Sequence, residues 1–287
     1  MPSLFILLQK IVPQHLLSRV VGKFAASRLF SRVFIRWFSA RYEIDLSEAA
    51  ESDLHAYPTF NAFFTRALRA GARPLADAET AVLSPADGAI SQLGSISDAG
   101  LLQAKGVYYT AASLLGDPAD AEAFDGGCFA TVYLSPRDYH RVHMPVAGRL
   151  LSTRYVPGDL FSVNQQTAEA IPNLFARNER LVCLFETAYG PMAVVLVGAM
   201  IVAGIETVWA GRACPARERQ IRVQDYSAAQ PPIELAAGAE LGRFYLGSTA
   251  IVLFGHGAME LNGSLSAGSP VKMGQLLGLG TPTGNTL

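Results

Sequence analysis

Cysteine is scarce in this 287-residue chain: Cys128, Cys183 and Cys214 stand at irregular spacing, without a CxxC pair. That excludes a disulfide-stapled secreted scaffold and suits a reducing, cytoplasm-facing environment. Long hydrophobic runs are missing as well. The opening MPSLFILLQKIVPQHLLSRVVGKF is interrupted by Gln9, Lys10, Pro13, Gln14 and His15, short of the ~18–20 apolar residues a membrane-spanning helix needs. No small-residue cleavage site marks a secretory signal. There is no HExxH, P-loop, tandem repeat or recognisable nucleic-acid module, so the reading carries no metal site and no nucleic-acid partner. The last absence is of acidic residues, none of which precedes Glu43.

Seven of the 23 basic residues do precede it, so a net charge of only -1 hides a basic beginning and an acidic remainder. In ASRLFSRVFIRWFSARY, Arg28, Arg32 and Arg36 recur four apart beside the stripes Leu29, Val33, Trp37 and Phe30, Phe34, Phe38. This is the period of an amphipathic helix. Its cations and aromatics suit docking in the interface of an anionic membrane, where each Arg near the surface contributes about 1 kcal/mol; packing on the protein's own core is the competing use of the same stripe.

A second helix is expected over YPTFNAFFTRALRAG, with Phe60, Phe63, Phe64 and Leu68 on one side and an end near Gly71. From Ala81 onward, short Val/Ile/Leu-rich runs are separated by Gly, Pro, Asn and Asp, the pattern of an antiparallel sheet protein. The expected fold is α+β: N-terminal amphipathic helices before a β-rich, barrel-like catalytic body. The expected division is a helical membrane-docking region over 1–75 and a catalytic domain over 76–287. With half its residues hydrophobic, the chain can bury the core this requires.

Four stretches place chemically useful groups beside turn residues: SPADG with Asp87, YLSPRDYHRVHMP with His140 and His143, GDLFSVN with Asp159 and Asn164, and LGST with Ser248. An aspartate, a histidine and a serine are the parts of a charge relay. An external ester hydrolase would display GxSxG at a strand-to-helix turn, whereas LGSTA lacks the second Gly and runs into a strand. The nearest electrophile to the Ser248 hydroxyl is the Gly247 carbonyl. An N-to-O acyl shift there gives an ester, β-elimination expels the Gly247 carboxylate and leaves dehydroalanine at 248, and tautomerisation and hydrolysis by water release ammonia and leave a pyruvoyl group. Its carbonyl can form a Schiff base with an amine substrate and serve as an electron sink for loss of carbon dioxide.

The stretches YPTFNAFFTRALRAGARPL, LSPADGAI, YLSPRDYHRVHMPVAG, GDLFSVN, IPNLFARNERLV, IVAGIETVW and YLGSTAIVLF together resemble bacterial phosphatidylserine decarboxylases, the pyruvoyl-dependent prokaryotic type. The likeness runs from about Tyr57 onward; before it, the chain matches only in character. It implies a zymogen that cleaves itself between Gly247 and Ser248 into a β chain, 1–247, and an α chain, 248–287, a heterodimer that leaves room for a dimer of such pairs. It further implies a self-cleavage relay of Asp87, His143 and Ser248, a part for His140 in decarboxylation, and a pyruvoyl cofactor made from Ser248. Phosphatidylserine would be the substrate and phosphatidylethanolamine the product, on the cytoplasmic side of the cell membrane, with Arg28, Arg32, Arg36 and Trp37 docking on anionic lipid. The alternatives are a membrane-associated serine hydrolase using the same three residues and a lipoyl-like binding module without catalysis. Thr249 and His256 have no assigned role.

Overall fold

A computed structural model describes residues 4–29, 31–97, 100–104, 106–200, 204–214, 219–245 and 248–282. Its centre is an antiparallel sheet of nine strands. Along it, Arg222–Asp225, Gly148–Val156, Arg180–Thr187, Gly190–Gly198, Ser248–Phe254, Cys128–Leu134, Gly88–Ser95 and Pro270–Val271 are successive neighbours, and Glu234–Leu235 also pairs with Gly148–Val156. A second sheet orders Gly211–Cys214, Gly204–Thr207, Glu240–Tyr245 and Arg141–His143; a third orders Ala81–Leu83, Leu276–Gly280 and Met259–Leu261.

Side chains on one face of the large sheet, including Val132, Leu150, Leu196, Val252 and Phe254, share a core with Val142, Ile205, Leu241 and Phe244 of the second sheet and Val82 and Leu277 of the third. On its other face, Val195, Val197, Ile251 and Leu253 pack with Leu114, Leu115, Leu174 and Phe175 from short helices. The run AIVLF is apolar at every position because its strand is covered on both sides, so period-two alternation has nothing to separate.

Among the described residues the sheets do not close. The large sheet ends at Arg222–Asp225 on one side and at the two-residue Pro270–Val271 on the other. Proline cannot donate to a ladder and belongs at such an edge. The architecture is therefore mixed helix and open antiparallel sheet, and a closed barrel is not formed.

Four helices precede this body: α1 (Leu4–Ile11), α2 (Gln14–Ala26), α3 (Ser31–Tyr42) and α4 (Phe60–Phe64). The basic helix expected from Ala26 to Tyr42 starts only at Ser31, behind a separate helix. That helix stops at Ala26, where the Ser27 N–H returns to Phe24 O, and Arg28 lies between the two. In α3, Ile35 and Phe38 turn inward to an aromatic cluster with Phe60, Phe63 and Phe64, while Val33 and Trp37 stay 71% and 55% exposed. Phe30 lies outside the described residues.

The expected second helix is shorter than its periodicity suggests. Thr59 caps it, but Thr65 returns its hydroxyl to Asn61 O, and Leu68 then makes a bridge with Ala49. Just past the break, the buried Arg66 guanidinium reaches Arg137 O and Asp138 O.

Candidate active site

The stretch Phe244–Phe254 reads as one strand in the sequence and is two strands in different sheets. Glu240–Tyr245 belongs to the four-stranded sheet and Ser248–Phe254 to the centre of the nine-stranded one. Gly247, and the side chain of Ser248, lie outside the described residues. The Ser248 backbone starts its strand between Leu134 and Gly198. The chain thus changes sheets between Tyr245 and Ser248, which accounts for residues that interrupt an otherwise apolar run.

Asp87 reaches this end of the sheet through Gly88. At φ +151, a Cβ on Gly88 would lie 2.1 Å from Tyr133 O and 3.4 Å from Leu134 Cα, so only glycine lets the SPADG turn rest on that strand. Leu134 separates this turn from Ser248, two strand spacings or about 10 Å. The Asp87 carboxylate is buried. Arg73 grips it through both Nε and Nη2, and the Met273 N–H donates to it at 2.9 Å. Arg73 also pairs with Glu48 at 2.8 Å, and Glu48 in turn with Lys272 at 3.1 Å.

His143 ends the strand Arg141–His143, its N–H bonded to Pro85 O at 2.8 Å, which brings it beside the same turn. Its Nδ1 is 2.8 Å from Gly238 O, so that nitrogen carries the proton. Nε2 is left to accept from the Tyr139 hydroxyl at 3.0 Å. Burial pushes its pKa below the ordinary histidine value. Asp87 and His143 are neighbours, yet both are committed elsewhere, and no hydrogen bond joins them here.

His140 is 0% exposed and stacked on Phe64 at 4.0 Å between ring centroids. Its Nε2 donates to Ser135 O at 3.0 Å, one residue beyond the partner of Ser248. Nδ1 is buried without a partner. Burial, with the nearby Arg66 cation adding to it, pushes the pKa of His140 down to about 3, so the ring is neutral. Arg66 is itself buried, and its Nη1 has no partner. Thr249 is fully buried, with an unpartnered hydroxyl.

Other residues of interest have structural work. Asn164 caps the helix after it through Thr167 N at 2.9 Å, and Asp159 makes an exposed pair with Arg177. His256 is exposed and its Nδ1 fastens to Gly126 O at 3.0 Å, holding two turns together. Arg32, Arg36 and Trp37 are exposed on α3 and Arg28 is exposed just before it. Among the described residues, no three His, Cys, Asp or Glu side chains gather as a metal site. Sequence reasoning did not single out Arg66, Arg73 or Tyr139. Tyr139 immediately precedes His140 in its motif, and both arginines lie in RALRAGARPL, read only for its apolar face.

Fold and site together define an α+β protein with a buried acid beside one buried imidazole and a second buried imidazole where a central strand begins. A family model described as "Phosphatidylserine decarboxylase" matches residues 60–279, and one described as "PSD" matches 4–43. A phosphatidylserine decarboxylase proenzyme of Pseudomonas fluorescens is 60% identical over 282 residues, covering 97% of this chain and 98% of that protein. Proenzymes of the same name are 61% identical in Ectopseudomonas mendocina, over 96% of this chain and 97% of that protein, and in Pseudomonas aeruginosa, over 96% of each. The chain belongs to the phosphatidylserine decarboxylase family. The match over 4–43 extends the family likeness into the helices that resembled it only in character.

Proposed function

We propose that the chain is a proenzyme that cleaves itself between Gly247 and Ser248, and that the resulting enzyme decarboxylates phosphatidylserine to phosphatidylethanolamine at a membrane surface. The observation that carries this reading is the placement of His140 beside the strand start at Ser248, with the Asp87 turn two strand spacings away and His143 beside that turn, in a chain about 60% identical to proenzymes of that name. The products would be a β chain of 1–247 and an α chain of 248–287.

In self-cleavage, His143 Nε2 is the base for the Ser248 hydroxyl once the Tyr139 hydroxyl gives way. Gly238 O keeps the proton on Nδ1 and so keeps Nε2 basic. Asp87, held by Arg73, favours the imidazolium that forms. A pyruvoyl group at position 248 would supply the electron sink for decarboxylation. The residues fit a carbonyl there: a buried neutral imidazole with a free lone pair at Nδ1 and a buried unpartnered hydroxyl at Thr249 stand beside that strand start.

His140 in its neutral form has Nδ1 free to accept a hydrogen bond, and an arriving carboxylate would raise its affinity for the proton it must deliver after carbon dioxide leaves. The buried Arg66 cation beside His140, its Nη1 unpartnered, suits an anionic head group over the zwitterionic product.

No helix among the described residues is long and apolar enough to cross a membrane. Docking is read onto 1–75 instead, where exposed Leu29, Val33 and Trp37 adjoin exposed Arg28, Arg32 and Arg36. The lipid tails would stay in the bilayer of the cytoplasmic side while the head group enters. The test is conversion of phosphatidylserine vesicles by purified protein. Stoichiometric carbon dioxide and phosphatidylethanolamine are expected, and fully cleaved protein without either product would refute the substrate assignment.

A further inference from the structure

The first two helices present their surfaces in an unusual sense. In α1, Gln9 is 2% exposed while Phe5, Leu8 and Ile11 are exposed, Ile11 at 79%. The inward side makes bonds to one short extended segment. Gln9 Oε1 accepts from Ser162 N at 2.8 Å, and Gln14 Oε1 accepts from Leu160 N at 2.7 Å. The Gln14 amide also donates to Gln9 O at 2.8 Å, so the two grips are linked.

The intervening residue turns the other way. Asn178 accepts from Phe161 N at 3.1 Å and donates to Phe161 O at 2.8 Å. Residues 160–162 therefore alternate their backbone partners like a strand, with amide side chains standing where neighbouring strands would be. Asn178 is fully buried and also donates to Gly198 O at 2.8 Å. Gly198 sends its N–H to Glu179 O, and a Cβ placed on it would lie 3.5 Å from Leu160 Cδ2. In the sheet, Gly198 stands opposite Ser248.

We propose that Gln9, Gln14 and Asn178 are positioning residues that make the seating of α1 and α2 part of the geometry at the Ser248 strand start. This rests on reading Ser248 as the processed residue and the outer face of the helices as the membrane face. A helix pair held in the bilayer surface by its apolar side then acts on residues 160–162 through two amides. Those residues act on Gly198 through Asn178 and Leu160. Membrane contact and site geometry are one mechanical unit.

The test compares the Gln9→Leu/Gln14→Leu double variant, Gln14→Leu and Gln14→Glu with the wild-type protein. Leucine keeps the volume and loses the bonds; glutamate at 14 keeps the acceptor for Leu160 N. Each is assayed with a short-chain, monomeric phosphatidylserine, alongside thermal midpoint and co-sedimentation with vesicles of phosphatidylserine and phosphatidylcholine. Displacement of a reacting group by an ångström costs up to about a hundredfold. The double variant is expected to bind vesicles as the wild type does and to lose about tenfold in kcat with KM within about twofold. Gln14→Glu is expected to recover at least half of the rate that Gln14→Leu loses. A double variant with wild-type kcat, or equal losses for leucine and glutamate at 14, overturns the proposal. Failure of the wild type to bind vesicles strikes the docking reading instead, and cleavage of a Ser248→Ala chain strikes the processing reading; neither enters the kcat comparison.

Discussion

At the scale of single residues, burial decides the protonation of the two histidines before any substrate arrives. Both have pKa values below the ordinary 6.5, with His140 at about 3, chiefly because their cations would lose water. The unfolded chain binds protons that the folded chain refuses, so this stability is complete above about pH 6.5 and is lost as the pH falls toward about 3. The thermal midpoint should therefore drop on acidification from pH 7 to 5, with a shallower drop in His140→Gln; parallel curves would show that His140 titrates alike in both states. Function divides the histidines differently. Ser248→Ala and His143→Ala should remain single uncleaved chains on a denaturing gel, while His140→Ala should cleave and lose at least about a hundredfold in turnover, the usual range for a general acid. Loss of cleavage in His140→Ala would merge its role with that of His143. Asp87, His140 and His143 were legible because their motifs pair them with turn residues. The Arg73 clamp on Asp87 and the Tyr139 bond to His143 were not, since they depend on which turns the fold stacks together.

Among the elements, the strand start at Ser248 and the basic helix α3 show what periodicity can and cannot reveal. The Arg28, Arg32, Arg36 spacing marked an exposed cationic face, and Val33 and Trp37 are indeed open to solvent. Periodicity could not place the break after Ala26, because Ser27 ends the helix by local backbone bonding and the apolar pattern continues across it. It also could not divide Phe244–Phe254 between two sheets, since residues of both strands face cores. Substitution on the exposed stripe is the cleaner probe of docking. Removing residues 1–42 would also remove Gln9, Gln14 and the buried Ile6. Val33→Glu with Trp37→Glu should weaken binding to anionic vesicles about tenfold or more, from the apolar burial of two side chains. Self-cleavage should proceed as in the wild type. Unchanged vesicle binding would place the docking surface elsewhere.

For the whole molecule, the central sheet has a simple consequence: the strand that begins at Ser248 is held by neighbours from both sides, Cys128–Leu134 and Gly190–Gly198, over its full length. A break before it would leave an α chain anchored by that ladder and by the two-sided core, so cleavage need not cost the fold. The proposed processing point falls between Tyr245 and Ser248, where the chain passes from one sheet to another. The barrel expectation came from many short strands and frequent glycine turns, which do not by themselves say whether the last strand meets the first. The most direct measurement is denaturing mass spectrometry of the purified protein before and after a carbonyl-reactive reagent. Two fragments are expected, 1–247 and 248–287, with the smaller lighter than its sequence by the conversion of Ser to pyruvoyl and shifted by the reagent. An intact chain, unreactive with the reagent yet decarboxylating phosphatidylserine, would contradict a cofactor made from Ser248.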